Sequence, residues 1–442
     1  MNAPTFKANQ LPQGEVAHVV GSKDPELWHR TIPNIFKDTV YRFANREAAV
    51  FPEQEIRWTW AELDREVDAL AHGLLELGLQ KGDRVGIWSP NRYEWLLTQF
   101  ATARIGIILV TINPAYRVSE VEFALNKVGC KALITASHFK TSDYIGMLQD
   151  LAPELSRCEP GALTATKLAS LKTVIRTGPE TTSGMLNFDA VIESGRSGNS
   201  AALDAISATL EPTDAINIQF TSGTTGTPKG ATLSHINIVN NGRFVVRAQN
   251  MDETDRLCIP LPLYHCFGMV MGSLGCVTTG SAMVFPSEGF DPESCLRAIS
   301  DEKCTSVYGV PTMFVGMLQH PKFKSFDFSA LRTGIMAGAP CPIEVMKQCV
   351  SEMNLSDITI AYGMTETSPV SFQTSYNDPL ERRVSTVGRV HPHVECKIID
   401  ENSKTVSPGT QGELCTRGYS VMIGYWGEPE RTAESIDQDG WM

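Results

Sequence analysis

Apolar positions in the first third of the chain follow a helical spacing that is interrupted by short apolar runs. Between Trp60 and Leu75 the apolar residues recur three or four positions apart, and Gly78 follows them, which predicts an amphipathic helix with a stop signal. The run Arg84–Trp88 predicts a short buried strand. Four further segments continue the pattern: a helix at Glu94–Ala103, a strand at Gly106–Val110, a helix at Ser119–Lys127 with Ser119 as its N-cap, and a strand at Ala132–Thr135. Alternating strands and helices indicate an α/β domain with a mostly parallel sheet.

The pattern changes twice further along the chain. Residues 155–205 are rich in Ser, Thr, Gly and Glu, so we expect surface loops there around one strand at Leu171–Ile175. Beyond Ile216 the alternation returns, and from about Val394 short strands separated by Gly and Pro predict a small β-rich lobe over residues 394–442. The elements predicted after residue 205 are strands at Ala215–Phe220, Ala282–Phe285, Ser306–Val310, Ile358–Tyr362, Val394–Asp400, Gly412–Arg417 and Val421–Gly424, and a helix at Pro292–Ile299.

Composition and charge exclude several classes of protein. The 442 residues are 42% hydrophobic, which is enough for two or three cores. A formal net charge of −12 disfavours binding to phosphate backbones, so we expect no nucleic-acid partner. The longest apolar runs are too short to cross a bilayer, so we expect no transmembrane segment.

The cysteines and the first residues of the chain give evidence about the cellular compartment of the protein. The 11 cysteines form no CxxC pair and lie in apolar stretches, which fits reduced, buried thiols better than a disulfide framework. Residues 1–18 contain neither an apolar signal core nor an Arg-rich amphipathic pattern. Together these features predict a cytoplasmic protein.

The strongest chemical signal is the segment TSGTTGTPKG at Thr221–Gly230. Its glycines allow backbone N–H groups to approach a polyanion, its hydroxyls can donate to phosphate oxygens, and Lys229 adds a positive charge. A flexible polar surface loop is the alternative interpretation. A P-loop of the Walker A type is excluded, because Pro228 occupies the position of that motif's second glycine.

A second signal is the segment YGMTET at Tyr362–Thr367, which follows a predicted strand. Its aromatic ring can stack on a base, its hydroxyls can bind phosphate, and its carboxylate can hold Mg²⁺. Taken alone, such a segment is more often a strand end whose carboxylate is satisfied within the protein. The turn at Gly338–Pro340 says little by itself.

In this order, a set of motifs resembles the adenylate-forming superfamily, which includes acyl-CoA synthetases, amino-acid adenylation domains and firefly luciferase. The motifs are TSGTTGTPKG, PLYHCFG (Pro262–Gly268), GVPT (Gly309–Thr312), AGAP (Ala337–Pro340), YGMTET, VGR (Val387–Arg389) and GELCTRG (Gly412–Gly418). The segments INIQFTSGTTG, GATLSHINIVNN, YGVPTMFV and GYWGEPERT most resemble the medium-chain acyl-CoA synthetases. The resemblance implies an N-terminal domain of two stacked α/β subdomains with a small β-barrel-like lobe.

The resemblance also implies a two-step reaction with ATP, Mg²⁺ and CoA. A carboxylic acid would attack the α-phosphate of ATP to give acyl-AMP and pyrophosphate, and CoA would then displace AMP. The phosphate-binding residues implied are Thr221, Ser222, Gly223, Thr224, Thr225, Gly226 and Lys229. The adenine would be framed by Gly338, Ala339, Pro340, Tyr362 and Gly363, with Thr365 at the α-phosphate and Glu366 holding Mg²⁺. Lys229, Thr365, Glu366 and His265 would be catalytic, whereas His235 is expected to be structural.

The resemblance to this superfamily also implies a pocket for the acyl chain. Its residues would be His265, Phe267, Gly268, Val310, Met313, Ile335, Met336, Ala337, Gly363 and Val370. They are mostly apolar and include no Lys or Arg for a second substrate charge, so a medium- or long-chain fatty acid fits better than an amino acid. Core packing is the alternative role for each of them, His265 included. The competing functions are an aryl-acid or other carboxylate adenylating enzyme, and a nucleotide-binding protein without turnover.

The expected domain organisation is an N-terminal arm at 1–30 and an AMP-binding domain at 31–442. In the family, the stretch at Asp439–Met442 leads into a Thr-Gly-Asp motif, a hinge and a small C-terminal domain with a catalytic lysine. The sequence contains none of these, so we expect the chain to be impaired in acyl-CoA formation when it acts alone. The oligomeric state is open, and a homodimer is one of the states that the sequence allows.

Overall fold

The computed structural model describes residues 14–221 and 228–442, and these residues form 22 strands and 14 α-helices. The strands are β1 (His18–Val20), β2 (Glu47–Phe51), β3 (Ile56–Thr59), β4 (Arg84–Trp88), β5 (Ile108–Thr111), β6 (Ala132–Thr135), β7 (His138–Phe139), β8 (Ser142–Asp143), β9 (Thr173–Arg176), β10 (Leu186–Asn187), β11 (Ala215–Thr221), β12 (Lys229–Ser234), β13 (Arg256–Cys258), β14 (Ala282–Val284), β15 (Ser306–Gly309), β16 (Thr333–Ala337), β17 (Asp357–Gly363), β18 (Val370–Gln373), β19 (Arg389–Val390), β20 (Val394–Ile399), β21 (Glu413–Gly418) and β22 (Gly424–Tyr425).

The helices alternate with these strands over most of the chain. They are α1 (Ile32–Phe43), α2 (Trp60–Glu76), α3 (Tyr93–Arg104), α4 (Val118–Val128), α5 (Tyr144–Leu151), α6 (Phe188–Gly195), α7 (Ser200–Ser207), α8 (His235–Ala248), α9 (Gly275–Thr279), α10 (Pro292–Asp301), α11 (Pro311–Leu318), α12 (Ile343–Glu352), α13 (Leu380–Ser385) and α14 (Pro429–Ser435). A π-helical segment, Phe267–Leu274, precedes α9, and a 3₁₀ turn, Thr365–Thr367, follows β17.

Two large sheets organise the molecule. The first sheet has the strand order β10-β9-β6-β4-β5-β11-β12-β22, and the second has the order β19-β18-β17-β16-β15-β13-β14-β2-β3. The central strands of both sheets pair in parallel, while β12, β22, β18, β19 and β3 pair antiparallel at the edges. This arrangement confirms the α/β class with mostly parallel sheets.

The largest hydrophobic cluster lies between the two sheets and contains residues of both. Strand alternation directs Ile87 of the first sheet and Ile335 of the second into this central cluster. Their neighbours Trp88 and Met336 belong to two separate clusters on the outer faces, as the two-residue period of a strand requires. Helices α1, α2, α3 and α8 contribute to the central cluster. The two sheets are therefore stacked around one shared core.

The helix predicted from Trp60 is confirmed as α2, and its start has a clear local cause. The Thr59 hydroxyl accepts a hydrogen bond from the Glu62 amide at 3.2 Å, while the Glu62 carboxylate accepts one from the Thr59 amide at 2.8 Å. This capping box satisfies two amide groups that the first turn cannot pair internally. Gly78 then adopts φ +79° just beyond the helix end, as expected for a C-terminal stop.

Two predictions about local structure are wrong. Ser119 is not the N-cap of α4, because Arg117 occupies that position and its amide donates to the Glu120 carboxylate at 2.7 Å. Residues 155–205 contain α6 and α7 as well as loops. Each helix has only eight residues, and the asparagine before it, Asn187 or Asn199, caps its first turn. Both helices are shorter than the windows in which periodicity is decisive.

The β-rich lobe also differs in detail from the prediction. In the described residues it is an open three-stranded sheet, β1-β20-β21, and not a closed barrel. Strand β1 comes from the region predicted as an N-terminal arm. The strand predicted at Val421–Gly424 is shifted: only Gly424 belongs to β22, Gly424–Tyr425, which pairs with β12 and so joins the first large sheet.

The cysteines confirm the prediction of buried thiols. All 11 are free, nine of them are buried, and Cys158 and Cys341 are half-buried. Among residues 14–221 and 228–442, none of the helices combines the length and the apolar character needed to cross a membrane.

Three buried asparagines on α8 fasten separate parts of the chain to this helix. The Asn237 amide donates to the carbonyls of Tyr419 and Val421. The Asn240 side chain accepts from the Trp28 amide at 2.8 Å and donates to its carbonyl at 3.0 Å. Asn241 makes the same pair of bonds with the backbone of Val370 in β18, at 3.1 and 2.8 Å. Helix α8 thereby holds the lobe, the N-terminal segment and the second sheet together. These contacts also place Val370 and Val421 beside the segment that contains Glu366.

Replacing Asn241 with leucine should destabilise the fold. The substitution keeps the branching and the number of side-chain heavy atoms but leaves the buried amide and carbonyl of Val370 without their side-chain partners, so we expect a loss of about 2–4 kcal/mol in the free energy of unfolding. Urea denaturation followed by circular dichroism measures this. The exposed Asn126, whose amide donates to the Lys167 carbonyl, provides a matched control, and Asn126→Leu should cost less than about 1 kcal/mol. Equal losses in the two variants would contradict the role assigned to Asn241.

His235 is a structural residue, as the sequence suggested. It begins α8, it is fully buried, and its Nδ1 atom accepts a hydrogen bond from the Ile32 amide at 3.1 Å. Burial lowers the pKa of His235 from 6.5 to about 3. The imidazole is therefore neutral in the folded protein, and it links α8 to the start of α1.

Acid should destabilise the protein partly through His235. Below pH 6.5 the unfolded chain protonates this residue and the folded chain does not, so the free energy of unfolding falls as the pH falls towards 3. At pH 5 one such group contributes a slope of about 1.4 kcal/mol per pH unit. His235→Gln should reduce the slope by that amount. Burial also lowers the pKa of His391 to about 3, so adding His391→Gln should double the reduction. Identical slopes in parent and variants would refute the assignment.

Candidate active site

The segment predicted to bind phosphate begins at the end of β11 and ends in β12, and the hairpin is defined here by these two strands. These strands pair antiparallel, and Thr221 at the end of β11 lies opposite Lys229 at the start of β12. The hairpin therefore places the first hydroxyl of the motif and its only ammonium group side by side. The predicted residues Ser222, Gly223, Thr224, Thr225 and Gly226 lie outside the described residues.

Glu366 connects this hairpin to the second sheet. The Thr221 hydroxyl donates to Oε1 of Glu366 at 3.2 Å, and the Tyr425 hydroxyl donates to the same oxygen at 2.9 Å. The Glu366 carbonyl accepts from the Met422 amide at 2.9 Å. Thr221 and Tyr425 belong to the first sheet, whereas Glu366 lies in the 3₁₀ turn after β17 of the second. The two motifs identified from sequence are thus joined directly.

Lys229 and Tyr425 form a second contact at this point. The Lys229 ammonium lies 4.9 Å from the centre of the Tyr425 ring, within the range of a cation–π interaction. Burial raises the pKa of Tyr425 to about 12, and the charge of Glu366 adds to the increase. Tyr425 is therefore neutral and remains a hydrogen-bond donor at physiological pH.

The residues predicted to frame adenine lie together at the carboxyl ends of β16 and β17. These strands are parallel neighbours in which Ala337 pairs with Ala361, so Gly338 and Tyr362, the residues after this pair, emerge side by side. Gly338, Ala339 and Pro340 are exposed, and Tyr362 keeps 47% of its surface accessible. Gly338 has φ +85°, which turns the chain away from the sheet edge. An exposed aromatic ring at the carboxyl edge of a parallel sheet is a suitable place for a base.

Gly363 is required by a close approach of two strands. A Cβ atom at this position would lie 1.8 Å from the Pro369 carbonyl oxygen, so any side chain would push β17 away from β18. Thr365 follows in the 3₁₀ turn and is largely buried, at 9% exposure. The close packing of the backbone at Gly363 thereby fixes the start of the turn that contains Thr365 and Glu366.

His265 lies just before the π-helical segment. Its side chain is exposed to solvent, yet the protein surrounds it, as in a cleft, and this burial lowers its pKa. Its Nδ1 atom accepts from the Phe267 amide at 3.1 Å. A neutral imidazole that accepts at Nδ1 carries its proton on Nε2. His265 can therefore donate a hydrogen bond into the cleft.

The next residue, Cys266, locates His265 relative to the phosphate motifs. Its thiol donates to the Gln219 side chain at 3.0 Å, and Gln219 lies two positions before Thr221. Burial raises the pKa of Cys266, and the charge of nearby Glu366 raises it further, while a hydrogen bond with the Thr365 side chain opposes the increase. Because His265 directly precedes Cys266 in the chain, it lies near the region where the hairpin and the 3₁₀ turn meet.

Most residues predicted for the acyl pocket lie close together on the inner side of the second sheet. The Phe267 and Tyr308 rings are 5.9 Å apart, and Tyr308 pairs with Ile335. Gly363 pairs with Val370 in the adjacent antiparallel strands. The residues that belong to or pack against the central cluster are Phe267, Val310, Met313, Ile335, Ala337 and Val370. Gly268 is buried against the Pro262 carbonyl.

Met336 is separated from this group. It belongs to the outer cluster of the second sheet, whereas its neighbours Ile335 and Ala337 belong to the central one. Because side chains alternate between the faces of a strand, three consecutive residues cannot line one pocket. The prediction that Met336 contacts the substrate is not supported by this geometry.

The donor set at Glu366 fits Mg²⁺ that is bound together with phosphates. In the part of the chain that the structure describes, no group of three or more His, Cys, Asp or Glu could hold a metal by itself. Mg²⁺ does not need such a cage, because it is usually held by one or two carboxylates, substrate phosphates and water. Glu366, with the Thr221 hydroxyl beside it, is a carboxylate of the kind that such a site uses.

Two other family motifs make structural contacts. Arg389 of the VGR motif donates to both carboxylate oxygens of Asp378, at 2.7 and 2.8 Å. Arg417 of GELCTRG donates to Glu395 at 2.8 Å and covers the ring of Trp441 at 4.5 Å. These ion pairs hold the ends of β19 and β21 in place.

Tyr425 is the residue that sequence reasoning missed. It lies in the GYWGEPERT segment, whose charged residues all follow Tyr425 and do not single it out. The only available signal was a tyrosine directly after a glycine in a predicted strand, and this is common in ordinary sheets. Its importance depends on the pairing of β22 with β12, which local sequence does not reveal.

Comparison with known proteins gives matches along nearly the whole chain. A family profile described as AMP-binding enzyme matches residues 36–426. The chain is 44% identical over 438 residues to a protein of Rattus norvegicus named medium-chain acyl-CoA ligase ACSF2, mitochondrial, covering 98% of this chain and 71% of that protein. The protein of that name from Danio rerio is 46% identical over 434 residues, covering 98% and 72%.

A solved structure shares the fold. The anthranilate CoA ligase AuaEII in complex with anthranoyl-AMP superposes with a TM-score of 0.82 at 22% identity, covering 95% of this chain and 75% of that one. The sequence matches confirm the resemblance to the acyl-CoA synthetases that the motifs indicated. The chain belongs to the AMP-binding enzyme family.

Proposed function

We propose that this protein activates a medium- or long-chain fatty acid with ATP and transfers the acyl group to CoA. The observation that carries the proposal is the contact between Thr221 and Glu366. This contact brings the phosphate-binding hairpin and the carboxylate after β17 to one point, beside the exposed surface at Gly338 and Tyr362. The identity to acyl-CoA ligases across nearly the whole chain supports it.

In the first step, a carboxylate oxygen forms a bond to the α-phosphorus of ATP while the bond to pyrophosphate breaks. Lys229 and Thr221, which lie opposite each other in β12 and β11, would bind the phosphates, and Thr365 of the 3₁₀ turn would reach the α-phosphate. His265 can donate from Nε2 to a carboxylate or phosphate oxygen. Mg²⁺ held at Glu366 would supply positive charge to the departing pyrophosphate.

In the second step, the CoA thiolate attacks the acyl carbon and AMP leaves with the electrons of the broken C–O bond. The rat and fish relatives are named as acyl-CoA ligases, which supports CoA as the acceptor. Their names place those proteins in the mitochondrion, so the cytoplasmic location predicted from this sequence is not confirmed. The homodimer also stays a prediction.

Apolar side chains favour a fatty acid over the competing aryl or amino acids. Phe267, Ile335, Ala337 and Val370 are buried in the central cluster, and Val310 and Met313 pack against it. An alkyl chain gains free energy from each methylene that such a surface removes from water. An amino acid would bring an ammonium group for which these side chains offer no partner.

Removing the charge of Glu366 should weaken binding of the Mg²⁺ form of ATP. Loss of a metal-binding carboxylate typically lowers affinity by at least about tenfold, so Glu366→Gln should raise the Kd for Mg-ATP by that factor while leaving binding of metal-free ATP no weaker. Isothermal titration calorimetry with and without Mg²⁺ measures both. Glu413→Gln, at an exposed position of β21, is the matched control and should bind like the parent. Unchanged Mg-ATP binding by Glu366→Gln would remove Glu366 from the metal site.

Affinity for acyl-adenylate analogues should rise with acyl length. Each methylene that becomes buried is worth about 0.8 kcal/mol, which corresponds to a Kd lower by about fourfold until the pocket is full. Non-hydrolysable acyl-sulfamoyl-adenosines from acetyl to hexadecanoyl test this by calorimetry without requiring turnover. Equal affinity for the acetyl and decanoyl analogues would exclude a fatty-acid pocket. Tighter binding of a benzoyl analogue than of the decanoyl one would favour an aryl-acid enzyme.

A further inference from the structure

Tyr425 is held in place by the backbone of the first sheet. Strand β22 pairs with β12 so that Tyr425 lies opposite Ala231, and the Trp426 amide donates to the Gly230 carbonyl at 2.8 Å. The Tyr425 amide donates to the Thr432 hydroxyl of α14 at 2.9 Å. The ring therefore occupies its position through the fold itself and needs no ligand to hold it there.

Two different parts of the Tyr425 side chain contact two different charged residues. Its hydroxyl donates to Glu366 at 2.9 Å, and its ring lies 4.9 Å from the Lys229 ammonium. Without an intervening group, the ammonium and the carboxylate could pair with each other instead of with a substrate. Tyr425 offers each of them a separate partner.

The hydrogen bonds to Glu366 are asymmetric. Tyr425 and Thr221 both donate to Oε1, while Oε2 accepts no side-chain hydrogen bond from residues 14–221 or 228–442. The two hydroxyls hold the plane of the carboxylate and leave Oε2 as the oxygen available to a cation. A ligating carboxylate that is itself hydrogen-bonded in this way has a fixed orientation.

We propose that Tyr425 is a positioning residue that orients Glu366 through its hydroxyl and holds Lys229 over its ring. This inference rests on the proposed function, because it assigns Glu366 to Mg²⁺ and Lys229 to the phosphates. The role of the Tyr425 hydroxyl and the role of its ring can be tested by separate substitutions. Tyr425→Phe removes the hydroxyl and keeps the aromatic face, whereas Tyr425→Leu removes both.

The test is calorimetric titration of the whole chain with ATP, with and without Mg²⁺. Tyr425→Phe should raise the Kd for Mg-ATP by about tenfold, since a hydrogen bond to a charged group is lost, and should change the Kd for metal-free ATP by less than about twofold. Tyr425→Leu should show the same loss with Mg²⁺ and a further loss of about fivefold in both titrations, since the cation–π contact is gone.

A matched control separates positioning from a merely structural role. The Tyr144 hydroxyl donates to the Pro114 carbonyl at 2.6 Å in the outer cluster of the first sheet, so Tyr144→Phe removes a buried tyrosine hydroxyl elsewhere. It should bind both forms of ATP like the parent. Thermal unfolding of every variant reports whether each is folded, and Tyr425→Phe, the smallest change, decides the question if Tyr425→Leu does not fold.

The outcomes distinguish this inference from the proposed function. If the parent binds Mg-ATP and Tyr425→Phe binds it equally well, the positioning role is wrong and the proposed function stands. If Tyr425→Phe weakens metal-free and Mg²⁺-bound ATP by the same factor, the hydroxyl does not act through Glu366 and the inference is overturned. If the parent binds no ATP, the proposed function fails first, and the inference fails with it.

Discussion

The arrangement of the site depends on one carboxylate that joins two sheets. Glu366 belongs to the second sheet, through the turn after β17, and it accepts hydrogen bonds from Thr221 and Tyr425 of the first. Hydroxyl donors on a carboxylate are charge-assisted and directional, so they fix the distance between the hairpin and the turn. The groups proposed to bind phosphate on one sheet and the groups proposed to bind the base on the other could act on one nucleotide only if that distance is held.

The rest of the fold maintains this junction. Both sheets share the central hydrophobic cluster, whose close packing resists sliding of one sheet over the other. Helix α8 adds directional contacts, since Asn241 binds the backbone of Val370 and Asn237 binds that of Tyr419 and Val421. Val421 precedes Met422, whose amide donates to the Glu366 carbonyl. The asparagines of α8 therefore support the site without being part of it.

Sequence reasoning predicted the features that depend on local pattern. The long helix α2 and the strands β4 and β6 follow from periodicity, and the structure confirms them. The two motifs follow from residue chemistry, and their phosphate-binding role stays a prediction. The remaining differences have both local and non-local causes. Arg117 replaces Ser119 as the cap because a neighbouring glutamate satisfies the amide. Met336 faces the outer cluster because side chains alternate between the two faces of β16, which separates Met336 from Ile335 and Ala337. Tyr425 was missed because its partners are distant in sequence and only the pairing of β22 with β12 brings them together.

Amide hydrogen exchange tests the junction at Glu366 most directly. If one nucleotide bridges the two sheets there, saturating Mg-ATP should slow exchange together in two segments, residues 362–370 of the second sheet and residues 420–428 of the first, including the Met422 amide bound to Glu366. Mass spectrometry of peptic peptides from the parent chain, with and without Mg-ATP, measures both segments in a single experiment. Increased protection in one segment with none in the other would show that nucleotide binds to one sheet alone, and it would contradict a nucleotide site that spans the junction at Glu366.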